Sequence, residues 1–146
     1  MDVLEARVDK FVFRVACDYR YSDADVWTKR EGTRVRVGLT DYLQQKSGDV
    51  AFVNPKEIGT QLAANDELAA LETIKVDLVI PTPIAGKIVA LNDALAAHPE
   101  LVNSDPYGAG WLAEIEPTNM TDVDAQLDAE TYLPQMQARA ELEREK

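Results

Sequence analysis

One cysteine, Cys17, and one histidine, His98, are all that 146 residues offer of the side chains most used for metal ligation and nucleophilic catalysis. A single cysteine forms no intramolecular disulfide and no thiolate cluster, and such sparing use fits a reducing cytoplasm. A single histidine rules out multi-histidine metal sites, and no Ser-His-Asp set assembles convincingly around it. Placed just before Pro99, His98 reads as a surface or helix-end residue. Positive charge is also short. Fifteen Lys and Arg stand against 26 Asp and Glu, for a net charge of −11. Such a surface repels phosphate backbones and anionic lipid, so neither nucleic acid nor membrane is an expected partner, whereas proteins presenting basic patches are. A salt-loving source would give the same acidity. No apolar run approaches a membrane span, and "MDVLEARVDKFVF" lacks the basic start and apolar run of a signal peptide. A cytoplasmic protein is the expectation. The only glycine cluster, "GAG" at Gly108 to Gly110, lacks the lysine and the spacing of a phosphate loop.

What is present reads as β structure. With 46% hydrophobic and 28% charged residues, the chain has ordinary globular usage, and its length suits one domain over residues 1–146. "KFVFRVACDYRY" is rich in β-formers, and "DVWTKREGTRVRVGLT" reads as a hairpin turning at Glu31-Gly32. In its second arm Val35, Val37 and Leu39 alternate with Arg34 and Arg36, the pattern of a half-buried strand. Thr40 caps a short helix, Asp41 suits its first turn and Gly48 stops it. "DVAFVNP" is a further strand, and turn signals at Gly59 and Asn65-Asp66 precede another over Glu67 to Glu72. "VDLVIPTPIAGKIVALN" returns as a strand with edge prolines and a bend at Gly86. "NDALAAHPELVNSDPYGAG" is a capped short helix, a helical turn at Pro99 and a loop, "GWLAEIEP" is a closing strand, and from residue 121 to 146 the pattern is helical, with Asp128 as cap. Trp27, Phe52 and Trp111 fit strand patterns and are assigned to the core. "SGDVAFVN" and "AGKIVALN" suggest two quasi-equivalent halves. The whole predicts a small antiparallel sandwich or flattened barrel with helices attached.

Chemistry-bearing residues are sparse. Asp23, Asp25, Asp41, Asp49, Glu72 and Asp77 invite a paired-carboxylate reading, but chance pairs abound in so acidic a chain. With little machinery of its own, the protein reads as a carrier or binding module rather than an enzyme. One lysine stands out. In "LETIKVDLVIPTPIAGKIVALN" Lys75 sits between apolar runs that read as strand, tight turn, strand, which places it on an exposed hairpin tip within reach of a modifying enzyme.

"VGLTDYLQQKSGDVAFV", "LETIKVD", "PTPIAGKIVALNDAL" and "PELVNSDPYGAGWL" together resemble the lipoyl-carrier H proteins of the glycine cleavage system, over roughly Val26 to Glu116. The C-terminal helical extension, about residues 121–146, follows more loosely. Glu72, Thr73 and Lys75 match that family's Glu-Ser/Thr-x-Lys lipoylation signature. The resemblance implies a mainly β lipoyl/biotinyl-type barrel-sandwich hybrid of two antiparallel sheets, with short helices and a C-terminal helix. It implies lipoate held in an amide to Lys75, a lipoate ligase or lipoyltransferase to attach it, and a non-catalytic protein whose cofactor takes part in partner reactions.

Departures from the family pattern bear on the cargo. Its His-Glu-Trp stretch is here Asp25, Val26, Trp27; the acidic residue four places after the lipoyl-lysine is Val79; a histidine in the first helix is Lys46. A cationic aminomethyl group docked against valines loses charge-assisted hydrogen bonds of about 1.5–3 kcal/mol each. The chain is on this ground more similar to the H-protein-like lipoate-binding proteins of cytoplasmic sulfur oxidation, whose arm works with sulfurtransferases and a heterodisulfide-reductase-like complex. The alternative is an H protein serving glycine decarboxylase, aminomethyltransferase and dihydrolipoyl dehydrogenase.

Overall fold

The computed structural model describes residues 1–144. The hairpin expected from alternation is present: β4 (Val26–Glu31) and β5 (Arg34–Leu39) pair antiparallel and turn at Gly32. Val35, Val37 and Leu39 are fully buried. Arg34 and Arg36 face outward and grip Glu114 of β11 (Ala113–Pro117) at 3.3 and 2.8 Å, which ties the hairpin to its neighbour. The hydrogen bonds from Arg36 and then Arg34 outweigh the burial of that carboxyl and hold it below the usual acid range.

These strands belong to a six-stranded sheet completed by β3 (Arg20–Tyr21), β7 (Gln61–Leu62) and β10 (Gly86–Leu91), in the order β3-β4-β5-β11-β10-β7. A three-stranded sheet, β6 (Val50–Pro55), β8 (Glu67–Thr73) and β9 (Asp77–Pro81), shares its core. Leu68, Leu71 and Ile80 of the small sheet meet Val37, Ile88 and Ile115 of the large one in a single aliphatic cluster. Each such side chain contributes about 1.5–3 kcal/mol by leaving water. Every strand pairing is antiparallel. The mainly β barrel-sandwich is the architecture found.

A third sheet goes beyond the two expected. β1 (Val3–Val8) and β2 (Phe11–Ala16) form a separate antiparallel hairpin. Helices α1 (Asp41–Ser47) and α5 (Ala129–Arg144) pack against it over a second core of mainly aromatic residues. There Tyr21 and Tyr132 stack at 4.5 Å, and Tyr19 meets Trp27 edge-on at 4.9 Å. Between β10 and β11 lie the short helices α2 (Ala94–Ala97) and α3 (Leu101–Ser104), and α4 (Thr121–Asp124) follows β11.

Thr40 accepts the Leu43 N–H at the start of α1, and Asp128 accepts the Thr131 N–H at the start of α5, both as the cap rules require. A buried polar lock holds the middle of α5 to the body. Asp25, buried at φ +66 ahead of β4, takes both arms of the Arg139 guanidinium at 2.7 and 2.8 Å and the Tyr132 hydroxyl at 2.6 Å. The last two residues of the expected C-terminal helix, 145 and 146, lie outside the described residues.

Other expectations are corrected. "VDLVIPTPIAGKIVALN" is not one strand but two, β9 and β10, in different sheets, with Pro81 ending the first and Pro83 in the crossing. The paired "SGDVAFVN" and "AGKIVALN" segments supply β6 and β10, one strand to each of the two larger sheets, which does not contradict two related halves. Phe52 is not a core residue but 62% exposed. A register shift between Val50 and Phe52 is the reason: the extra residue turns Phe52 onto the outer face, opposite Glu72. Trp111 is half-buried and precedes β11, with the Arg36 guanidinium 4.5 Å over its ring. Trp27 is buried as expected. No helix of the described residues is long and apolar enough to cross a membrane.

Candidate functional site

β8 and β9 pair so that Glu72 stands opposite Asp77, which leaves Ile74, Lys75 and Val76 as the turn between them. Thr73 organises this turn. Its hydroxyl oxygen accepts the N–H groups of Lys75 and Val76 at 3.2 and 2.9 Å. Its proton is donated toward the carbonyls of Val76 and Ser47, 2.8 and 2.9 Å away. The Ile74 N–H reaches the Asp49 carbonyl at 3.1 Å. A three-residue tip is thereby tied both to itself and to the end of α1, although its side chains are exposed.

The Lys75 side chain lies back rather than standing free. Its stem crosses Gly48, where an added Cβ would sit 3.0 Å from the lysine Cδ and where the backbone φ of +89 already disfavours any other residue. The ammonium donates to the Lys46 carbonyl at 3.4 Å, one of the orphan acceptors at the end of α1. Glu72 and Asp77 are exposed at the root of the hairpin, and no side-chain ion pair or hydrogen bond reaches either among the described residues.

The remaining acidic candidates do not converge. Asp25 is consumed by Arg139 and Tyr132, and Asp41 accepts the Arg14 N–H and both Gln44 and Gln45 side chains. His98 is a surface residue beside Glu100. Among the described residues no cluster of His, Cys, Asp and Glu is arranged to hold a metal ion. The departure positions are also scattered. Val26 is fully buried in the aliphatic core, Val79 is 61% exposed on the outer face of β9, and Lys46 sits at the end of α1.

Sequence reasoning missed a groove beside the tip. Lys75 stands at its edge, and it encloses about 270 Å³ between the β1–β2 hairpin, α1 and the end of α5. Phe11, Phe13 and Tyr42 give it apolar walls. Glu143 gives it a polar end, accepting from Lys46 at 3.2 Å and from the Tyr42 hydroxyl at 2.8 Å. Partial burial pushes this carboxyl up, but the bonds from Tyr42 and Lys46 win and hold it below the usual range. The groove joins residues more than a hundred positions apart. The apolar spacing of "KFVF" is its one local trace.

A family model described as glycine cleavage H-protein matches residues 19–139. The glycine cleavage system H protein of Anoxybacillus flavithermus is 42% identical over 115 residues, 79% of this chain and 91% of that one. That of Thermus thermophilus is 42% identical over 123 residues, 84% and 96% of the two chains. The crystal structure of a glycine cleavage system H protein from Mycobacterium marinum superposes with a TM-score of 0.75 at 31% identity, covering 83% of this chain and 98% of the other. β1, β2 and the last turn of α5 lie outside the residues the family model matches.

Proposed function

The chain belongs to the glycine cleavage H-protein family, and from that premise we propose that it is a carrier protein, residues 1–146 acting as one lipoyl domain, with lipoate bound as an amide to the Nζ of Lys75. The observation that carries this reading is the tip itself: a primary amine on an exposed turn, held by Thr73 and its anchors to α1, within Glu72-Thr73-Ile74-Lys75. The site fits the group. The amine is open to a ligase or lipoyltransferase, Gly48 leaves room for the stem, and an amide nitrogen keeps one N–H for the Lys46 carbonyl. When bound, lipoate supplies the dithiolane chemistry that a one-cysteine chain lacks. The chain's own part is to fix the root of the arm while partner enzymes do the catalysis.

For the cargo, we propose the aminomethyl group of glycine cleavage, passed between glycine decarboxylase and aminomethyltransferase, with dihydrolipoyl dehydrogenase restoring the disulfide. The names of the relatives favour this reading over sulfur transport. Two features soften the argument from missing carboxylates. Val26 is buried in the aliphatic core, and Glu72 and Asp77 offer unpaired carboxylates two or three positions from Lys75. Asp25 does not compensate, being locked to Arg139.

The sulfur-carrier reading, with sulfurtransferases and a heterodisulfide-reductase-like complex as partners, is the second. It rests on Val79, which leaves the outer face of β9 apolar where the family pattern has an acid. The two separate in one assay: lipoylated protein with glycine decarboxylase and aminomethyltransferase from its own source. Glycine-dependent turnover is the expected result, raised further by Val79→Asp. No turnover, together with sulfur uptake from a sulfurtransferase of the same source, would transfer the assignment to the second reading.

A further inference from the structure

We propose that Asn103 of α3 is a positioning residue for the Lys75 tip, acting through the turn that joins α1 to β6. The inference rests on the carrier reading, since it concerns how the lysine that takes the lipoate is presented. The tip is seated on three carbonyls of that turn. Lys46 takes the Lys75 ammonium at 3.4 Å, Ser47 the Thr73 hydroxyl at 2.9 Å, and Asp49 the Ile74 N–H at 3.1 Å. The tip is therefore only as fixed as the turn beneath it.

The turn has little hold of its own. Gly48 stands at its centre at φ +89, and one bond of its N–H to the Gln44 carbonyl, 3.2 Å, closes α1 there. The Asn103 side chain supplies the rest. Its Nδ2 donates to the Gly48 carbonyl at 3.0 Å and to the Gln44 Oε1 at 3.1 Å, while its Oδ1 accepts the Val50 N–H at 2.8 Å. One planar amide thus ties the last part of α1, the centre of the turn and the first residue of β6.

The chemistry of the three partners selects asparagine. They ask for a donor and an acceptor on one short planar group, whereas aspartate brings two acceptors and leucine neither. The base from which the amide reaches is firm. Val102 beside it is fully buried in the aliphatic core, and Leu101 packs against that core. A side chain carried on such a base holds the turn in one place, and the turn holds the lysine.

Asn103→Asp is the informative variant. It keeps the shape and the acceptor for the Val50 N–H, but sets a carboxylate oxygen against two acceptors, the Gly48 carbonyl and the Gln44 Oε1. Val102→Ala is its counterpart, opening a cavity in the core one residue away without touching the turn. Amide hydrogen exchange reads the tip and needs no lipoate. Ile74 and Val76 should exchange about tenfold faster in Asn103→Asp, while Val37 of β5 keeps its protection. In Val102→Ala the two tip amides should exchange as in wild type, although the melting temperature falls.

Attachment reads the consequence. With purified lipoate ligase, lipoate and ATP, the neutral Lys75 amine attacks the lipoyl adenylate, AMP leaves, the amine's proton passes to solvent, and intact mass follows the product. A tip seated about a tenth of the time is an acceptor about tenfold weaker. The KM for the protein should rise by that factor in Asn103→Asp with kcat unchanged, and Val102→Ala should keep the wild-type KM. Unchanged tip exchange or an unchanged KM in Asn103→Asp would overturn the role of Asn103, as would an equal rise in Val102→Ala. No lipoyl mass on wild-type Lys75 would overturn the carrier reading instead, and exchange alone would then decide whether Asn103 holds the tip.

Discussion

At the scale of single residues, exposure and anchoring divide the labour. Lys75 is exposed and its side chain meets the body only by its stem over Gly48 and one long bond from its ammonium to the Lys46 carbonyl, whereas Thr73 spends its hydroxyl on four backbone groups. Val37, by contrast, is fully sealed among Val35, Ile88 and Ile115. Lys75→Ala should therefore change the unfolding free energy by less than about 0.5 kcal/mol. Val37→Asp, which buries an unpaired charge, should cost several-fold more, on the order of 3 kcal/mol or above. Urea titration of the two variants decides the matter, and equal losses would mean that the hairpin tip is part of the core. The exposed hairpin tip that carries Lys75 was legible in the sequence because strand, turn and strand are contiguous there. The role of Thr73 as the clamp of the turn was not, since its partner Ser47 is 26 positions away.

At the scale of elements, local patterning and tertiary contacts part company. The β4–β5 hairpin, the caps of α1 and α5, and strands β6 and β8 follow from alternation and end signals that lie within a few residues. Phe52 did not follow, because one bulge reverses the faces of β6 and no local signal marks it. The split of β9 from β10 was hidden for a related reason: apolar residues continue through Pro81 and Pro83 while the chain changes sheets. The lock on α5 is a third instance. Nothing near Asp25 in sequence announces Arg139, which is 114 residues away. Asp25→Ala leaves the Tyr132 hydroxyl and one face of the guanidinium without their acceptor, a loss of about 1–3 kcal/mol. Loosening should be confined to α5 and the hairpin it covers. Amide hydrogen exchange should rise in β1, β2 and α5 while β5 and β11 stay protected, and uniform loss of protection would mean that α5 and the sandwich unfold as one unit.

At the scale of the whole molecule, two cores meet at the tip. The aliphatic core of the two larger sheets sets the β8–β9 hairpin, and the aromatic core beneath α5 and β1–β2 sets the groove beside it. The acidic surface, −11 overall, and the exposed Phe52, Ile74, Val76 and Val79 around Lys75 present partners with an apolar centre in a negative field. A carrier role depends above all on the chemistry of one nitrogen, the Nζ of Lys75. Intact mass spectrometry of the protein from a lipoate-competent host, beside its Lys75→Arg variant, tests it directly. Arginine keeps the charge and offers no primary amine for the amide. One lipoyl increment on the wild type and none on Lys75→Arg is the result this account predicts. An increment that persists in Lys75→Arg, or none on the wild type, would contradict it.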